Sequence, residues 1–269
     1  MVEAYGYKQQ IINELNSIDN DTNNFYNFKG LNFLSRLSSK NENIVITFHG
    51  AVVWPKNSID RIIFRGYDWK IPNTDIICIS DFMLNKYYGY IINWYLSTEK
   101  YNVDELYKTL LDYLLKNKKY KKKIFTGTSA GGYPSIKYAL YFNSVAIVSN
   151  SQLYLEEYYA RNKPWKGGIY HTYKLMNDND DKIIYKPRNI EEICKKYNPQ
   201  KVIIYQNIDD IQHYDLHFIP FKKFITENCN ENLFEFIEFK YIDSDNHHSI
   251  IFPDNTKHID ILQEIIENN

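Results

Sequence analysis

Short apolar runs rich in β-branched residues alternate along this chain with longer stretches whose apolar positions recur every three or four residues. The short runs predict strands at Asn43–Phe48 (NIVITF), Arg61–Phe64, Asp75–Ser80 (DIICIS), Lys122–Thr126, Ser144–Ser149 (SVAIVS), Val202–Tyr205 (VIIY) and Leu233–Ile242. Helices are predicted over Tyr7–Ile18, Val103–Leu115, Ala130–Tyr141, near Leu216–Thr226 and over Ile259–Ile266. In the second of these, Val103, Leu106, Tyr107, Leu110, Leu111, Leu114 and Leu115 share one helical face. Strands that are apolar throughout and separated by helices signify βαβ units. The expected fold class is therefore α/β, a mainly parallel sheet with helices on both faces. The stretch Ser151–Pro199 breaks this rhythm: it holds Trp165, the pair Gly167–Gly168 and the polar run Asn177–Asp181, with no clear period. An insertion of this kind between sheet strands is where a cap or substrate-binding lid would sit. With no internal repeat and no linker, residues 1–269 are expected to form one domain carrying a cap-like insertion at 151–199.

Composition narrows the function. The 32 Lys and Arg balance the 33 Asp and Glu, so no basic surplus exists to neutralise a nucleic-acid backbone, and no nucleic-acid partner is expected. No apolar run approaches the roughly 20 residues needed to cross a bilayer. The segment MVEAYGYKQQ lacks the apolar core of a secretory signal, so neither a membrane span nor export is expected. Three scattered cysteines, Cys78, Cys194 and Cys229, give neither a disulfide framework nor a zinc pair and fit a reducing, cytoplasmic setting. Cys78 lies in an apolar run and reads as a small buried hydrophobe. The 25 tyrosines are read as the codon bias of an AT-rich genome rather than as a binding signal.

The sharpest chemical signal is Gly127-Thr128-Ser129-Ala130-Gly131-Gly132, directly after the strand KKIFT and before a helix. This is G-x-S-x-G in its strand–turn–helix context. The small flanking residues let strand and helix backbones pass closely and expose the serine Oγ, while the helix N-terminus sets N–H groups beside the reacting oxygen. Neither the dinucleotide fingerprint nor the lysine of a phosphate-binding loop is present. A nucleophilic Ser129 needs an acid and a base, expected downstream in that order. The strand VIIY runs into Asp209 and Asp210, and the strand LFEFIEFKYI runs into His247 and His248. Both pairs stand at strand C-terminal ends, where open α/β sheets place their sites. Neighbouring residues in an extended loop point opposite ways, so only one histidine can face Ser129. The oxyanion hole is expected from the N–H of Ala130 and a second donor in the His49-Gly50-Ala51 turn after NIVITF, either Ala51 or Gly50.

Together, HG, GTSAGG, NIDD and NHHS resemble the α/β-hydrolase superfamily from about Asn43 onward, through motif order and spacing. In that superfamily the acid often stands three residues after a turn glycine. Asn207 takes the glycine's place, which selects Asp210, with Asp209 as alternate. The superfamily histidine usually follows a glycine, which neither histidine does here. His248, followed by Ser249, matches best, with His247 as alternate. A narrower resemblance, carried by S-A-G-G and by Asn207–His213 (N-x-D-D-x-x-H), is to bacterial polysaccharide O-acetyltransferases of capsule and surface-glycan loci. It implies transfer of an acetyl group from acetyl-CoA to a sugar hydroxyl, with no other cofactor required and a carbohydrate or small acyl ester as substrate. General small-ester hydrolysis and a non-catalytic glycan-binding role are the alternatives.

Other features carry less. Trp54, Trp69, Trp94 and Trp165 could stack on sugar rings but read first as core and rim packing. His213 and His217 lie four apart near a helix start, and without an intervening Glu their metal-site signal is weak, so no metal is expected. The run Lys116–Lys123 reads as a solvated turn that could attract an anionic polymer or the phosphates of coenzyme A. The run Asn177–Asp181 lacks the glycine and distal Glu of a calcium loop.

Overall fold

The apolar runs become strands of one sheet: β1 (Asn24–Phe28), β2 (Leu31–Arg36), β3 (Asn43–Phe48), β4 (Thr74–Ile79), β5 (Lys122–Thr128), β6 (Val145–Ser149), β7 (Lys201–Asn207) and β8 (Phe234–Phe239). The computed structural model describes residues 24–28, 31–51, 64–86, 92–158, 182–186, 188–240, 252 and 257–268. The expected helix at Tyr7–Ile18 lies outside them, as do residues 61–63 of the expected strand Arg61–Phe64, of which Phe64 is not in a strand. The helices among the described residues are α1 (Phe82–Lys86), α2 (Val103–Asn117), α3 (Gly132–Tyr141), α4 (Asn189–Lys196), α5 (Ile219–Asn228) and α6 (His258–Glu267), with short helical turns between them. The expected α/β class holds.

The strand order is β1-β2-β4-β3-β5-β6-β7-β8. β1, β2 and β4 pair antiparallel, and every other pairing is parallel. The β1–β2 hairpin was not expected. Its strands carry buried polar residues (Asn32 and Ser35) among the apolar ones and so lack a continuous apolar run. From β3 the chain moves outward to β4, then returns across β3 to β5, so the order reverses between β3 and β5. In open α/β sheets such a reversal is where a crevice lies, beyond the C-terminal ends of the two strands. The register brings the ends level, with Phe48 opposite Gly127.

Successive residues of each strand enter two cores, as the twofold period requires. Ile44, Ile46, Phe48, Ile77, Ile79, Phe125 and Val148 face the layer of α2, α3, α4 and α5. Val45, Ile76, Cys78, Ile124 and Ile147 face Ile261 and Leu262 of α6. Within the expected insertion, α4 packs against α3 and α5 and so belongs to the layer flanking the sheet. Residues 159–181 and 187 lie outside the described residues.

Two helix expectations are refined. The helix expected from Ala130 begins as a tight turn, Ser129–Gly131, and becomes regular only at Gly132. The helix expected near Leu216–Thr226 is a wide π-type turn at Tyr214–Phe218 followed by α5. Pro220, without an N–H to donate, stands where the wide turn gives way to the regular helix.

The turn between β5 and α3 is held by close backbone packing. A Cβ at Gly131 would lie 2.4 Å from the carbonyl oxygen of Phe48 at the end of β3, and one at Gly127 would lie 2.3 Å from the carbonyl oxygen of Gly131. Both obstacles are backbone, which cannot swing aside like a side chain. Gly131→Ala is expected to destabilise the fold by about 1–3 kcal/mol, as other over-packed sites do. The check is urea unfolding, where the midpoint should fall with the slope unchanged.

Candidate active site

Ser129 ends the strand-to-turn transition with φ 54°, a left-handed conformation that costs a non-glycine residue roughly 1–3 kcal/mol and persists only where packing enforces it. The close approach of Gly131 to β3 supplies that packing. Ser129 is 8 % exposed and opens the turn that carries Ala130. Across the crevice, a Cβ at Gly50 would lie 3.5 Å from Ser129 Cβ, so the His49–Gly50 turn touches the serine as its sequence position led one to expect.

That turn is anchored by a buried network. The His49 N–H donates to Tyr95 Oη (2.9 Å), and Tyr95 O–H donates in turn to the Ile79 carbonyl (3.0 Å). His49 Nε2 accepts from the Asp81 N–H (3.0 Å), so the ring proton is on Nδ1, which donates to the Gly50 carbonyl (2.7 Å). Asp81 accepts from Met83 N–H and Tyr95 N–H. A trans peptide holds its C=O and N–H on opposite sides, so anchoring the Gly50 carbonyl also fixes the direction of the Ala51 N–H.

At the end of β7 the two candidate acids separate. Asp209 is half-buried with Lys240 Nζ 3.8 Å away. Asp210 is 1 % exposed and places Oδ1 3.0 Å from His213 Nδ1. His247 and His248 lie outside the described residues.

Residues that sequence reasoning missed stand beside Ser129. Gln152, in the loop after β6, is held by its N–H to the Ser129 carbonyl (3.1 Å). Its side-chain Nε2 lies 3.0 Å from Ser129 Oγ and 3.3 Å from His213 Nε2. Its Oε1 accepts from Trp94 Nε1–H at 2.6 Å. The segments that supply these groups also contain left-handed residues, Trp94 and Tyr95 at φ 52° and 59° and Asn150 at φ 42°. The bland reading of Trp94 as packing is therefore incomplete. His217 Nδ1 accepts from the Tyr154 N–H (3.2 Å), and no group of three metal-binding side chains occurs among the described residues.

Behind the serine, Arg65 donates to Thr128 Oγ1 (3.0 Å) and to His258 Nδ1 (2.9 Å), and His258 Nε2–H donates to Thr126 Oγ1 (2.6 Å). Loss of hydration brings the Arg65 guanidinium down to about 10, so it keeps its charge at neutral pH. No carboxylate pairs with it among the described residues.

Burial, aided by the Arg65 charge, pushes His49 from 6.5 to about 4. Burial also holds His217 and His258 well below the usual range, with the Arg65 charge adding to it at His258. These three are neutral in the folded chain and ordinary in the unfolded one, so they remove stability as pH falls from 6.5 toward their folded values. At about 1.4 kcal/mol per unit, His49 alone accounts for about 3 kcal/mol. Asp81, raised by burial from 3.8 to about 6, acts the other way, its contribution being lost as pH rises through that interval. Three histidines against one carboxylate leave a net fall. The thermal midpoint is expected to drop steadily from pH 7 to pH 4, and a flat midpoint over that range in melts at constant ionic strength would contradict the burial of these rings.

No protein-family model matches the chain, and no curated protein matches its sequence. Solved structures do match its architecture. The capsule O-acetyltransferase of Neisseria meningitidis serogroup A, in complex with caged gadolinium, superposes with a TM-score of 0.61 at 14 % identity, over 94 % of this chain and 97 % of that one. A second structure of that O-acetyltransferase gives a TM-score of 0.58 at 12 % identity over the same shares. An esterase of Pyrococcus furiosus gives 0.52 at 11 % identity, over 92 % of this chain and 91 % of that one. With its strand order, the serine turn at the reversal of that order and these structural likenesses, the chain has the α/β-hydrolase fold.

Proposed function

We propose that this protein is a serine acyl-transfer enzyme acting on O-acetyl groups of a bacterial surface polysaccharide, as an O-acetyltransferase or an esterase. The observation that carries the reading is the left-handed Ser129 at the sheet's crevice, touched by the Gly50 turn on one side and linked through Gln152 and His213 to Asp210 on the other. The carbohydrate substrate is supported by the likeness to the meningococcal capsule O-acetyltransferase, which extends over nearly the whole of both chains.

In this reading His248 (alternate His247) takes the proton from Ser129 as its Oγ attacks an ester or thioester carbonyl. The N–H groups of Ala130 and of Ala51 or Gly50 hold the oxyanion, each donor contributing about 10²–10³ in rate. Asp210 (alternate Asp209) orients the imidazole and stabilises its charged form. The acyl group then passes to a sugar hydroxyl or to water, with acetyl-CoA as donor in the transferase case. His213 is a second candidate for the base, favoured by its 3.0 Å contact with Asp210, but the Gln152 amide lies between its Nε2 and the serine.

A fluorophosphonate probe is expected to label the wild type and not Ser129→Ala. Asp210→Asn is expected to slow labelling by roughly 10³–10⁴, as in other serine triads, and His248→Ala to abolish it. Loss in His213→Ala with retention in His248→Ala would transfer the base role to His213. No labelling of folded wild type would favour a glycan-binding protein. Comparing acetyl-CoA consumption with and without polysaccharide then separates transferase from esterase.

A further inference from the structure

Among the described residues, Gln152 is the side chain that hydrogen-bonds Ser129 Oγ, and its orientation is determined by its neighbours. The Trp94 indole can only donate, so the Gln152 atom 2.6 Å from it is the oxygen. The amide nitrogen therefore faces both Ser129 Oγ and His213 Nε2. His213 Nδ1 donates to Asp210, which leaves Nε2 as the acceptor for one amide proton. The second amide proton points at Ser129 Oγ. Gln152 is 1 % exposed and cannot accept the serine's proton through this nitrogen, so toward Oγ it acts only as a donor.

The geometry points to Gln152 as a catalytic residue that stabilises charge on Ser129 Oγ when the acyl-enzyme breaks down, with Trp94 and His213 as the positioning residues that keep its amide from turning over. The inference rests on Ser129 being the nucleophile. In that step the acceptor O–H attacks the acyl carbon and gives its proton to the base. The bond from the acyl carbon to Oγ then breaks with its electron pair going to Oγ, and the base returns the proton there. A hydrogen bond to Oγ strengthens as that charge appears, because charge-assisted bonds are about twice as strong as neutral ones. It therefore favours the transition state over the resting ester.

The test uses the full chain and p-nitrophenyl acetate, following acetyl-enzyme on Ser129 by intact mass spectrometry. Gln152→Met is expected to keep forming acetyl-enzyme but to lose it roughly 10- to 100-fold more slowly, the size expected when one donor to a charged group is removed. Gln152→Glu keeps the size and the acceptor for Trp94 while losing the donor, so it should also accumulate acetyl-enzyme and serves if the Met variant does not fold. Trp94→Phe should give a smaller slowing, and combining it with Gln152→Met should add nothing, since Trp94 acts through Gln152. Unaltered deacetylation in both Gln152 variants, or independent addition of the two effects, overturns the inference while leaving Ser129 as the nucleophile. A wild type that forms no acetyl-enzyme and takes no fluorophosphonate overturns both readings.

Discussion

The close passage of the turn after β5 across the end of β3 is the constraint on which the crevice depends. Gly131 stands against the Phe48 carbonyl and Gly127 against the carbonyl of Gly131, and neither site has room for a Cβ. With the backbone pressed this tightly, Ser129 is forced into the left-handed region and lifted out of the strand direction. The same pressure keeps the Gly50 turn in contact with the serine. Strain at one residue is thus sustained by packing at several others, and relaxing the approach would release the serine and separate it from the Gly50 turn.

The polar interior around this turn relies on neutral imidazoles. A neutral ring donates through one nitrogen and accepts through the other, so it can tie two segments together. His49 links the Gly50 turn to the end of β4. His258 links α6 to β5 through Thr126 while accepting from Arg65. Protonation would turn each accepting nitrogen into a second donor and set it against an N–H. Burial and the Arg65 charge both hold these two rings neutral, so one electrostatic arrangement maintains the connections.

Gln152 plays the corresponding part on the other side of the serine. It connects Trp94, Ser129 and His213, three groups from different stretches of chain, and each partner removes a freedom from the amide. Asp210 is turned inward to His213, while Asp209 lies toward Lys240.

Much of this was legible in the chain. Continuous apolar runs mark β3 to β7, and the Gly-x-Ser-x-Gly pattern marks the turn between β5 and α3, because period and turn chemistry are local properties. The β1–β2 hairpin was hidden because its buried positions include the polar residues Asn32 and Ser35, which interrupt the apolar run that marks a strand in the sequence. Two adjacent aspartates are chemically alike in sequence, and only the fold sends one inward. The contacts of Gln152 with Trp94, Ser129 and His213 carried no signal, since these partners lie 23 to 61 residues away. The sequence by itself determined the α/β layering and the place of Ser129 in it, through interactions between near neighbours. Tertiary structure alone decided which buried donor meets which acceptor, because that depends on which distant segments the sheet brings side by side.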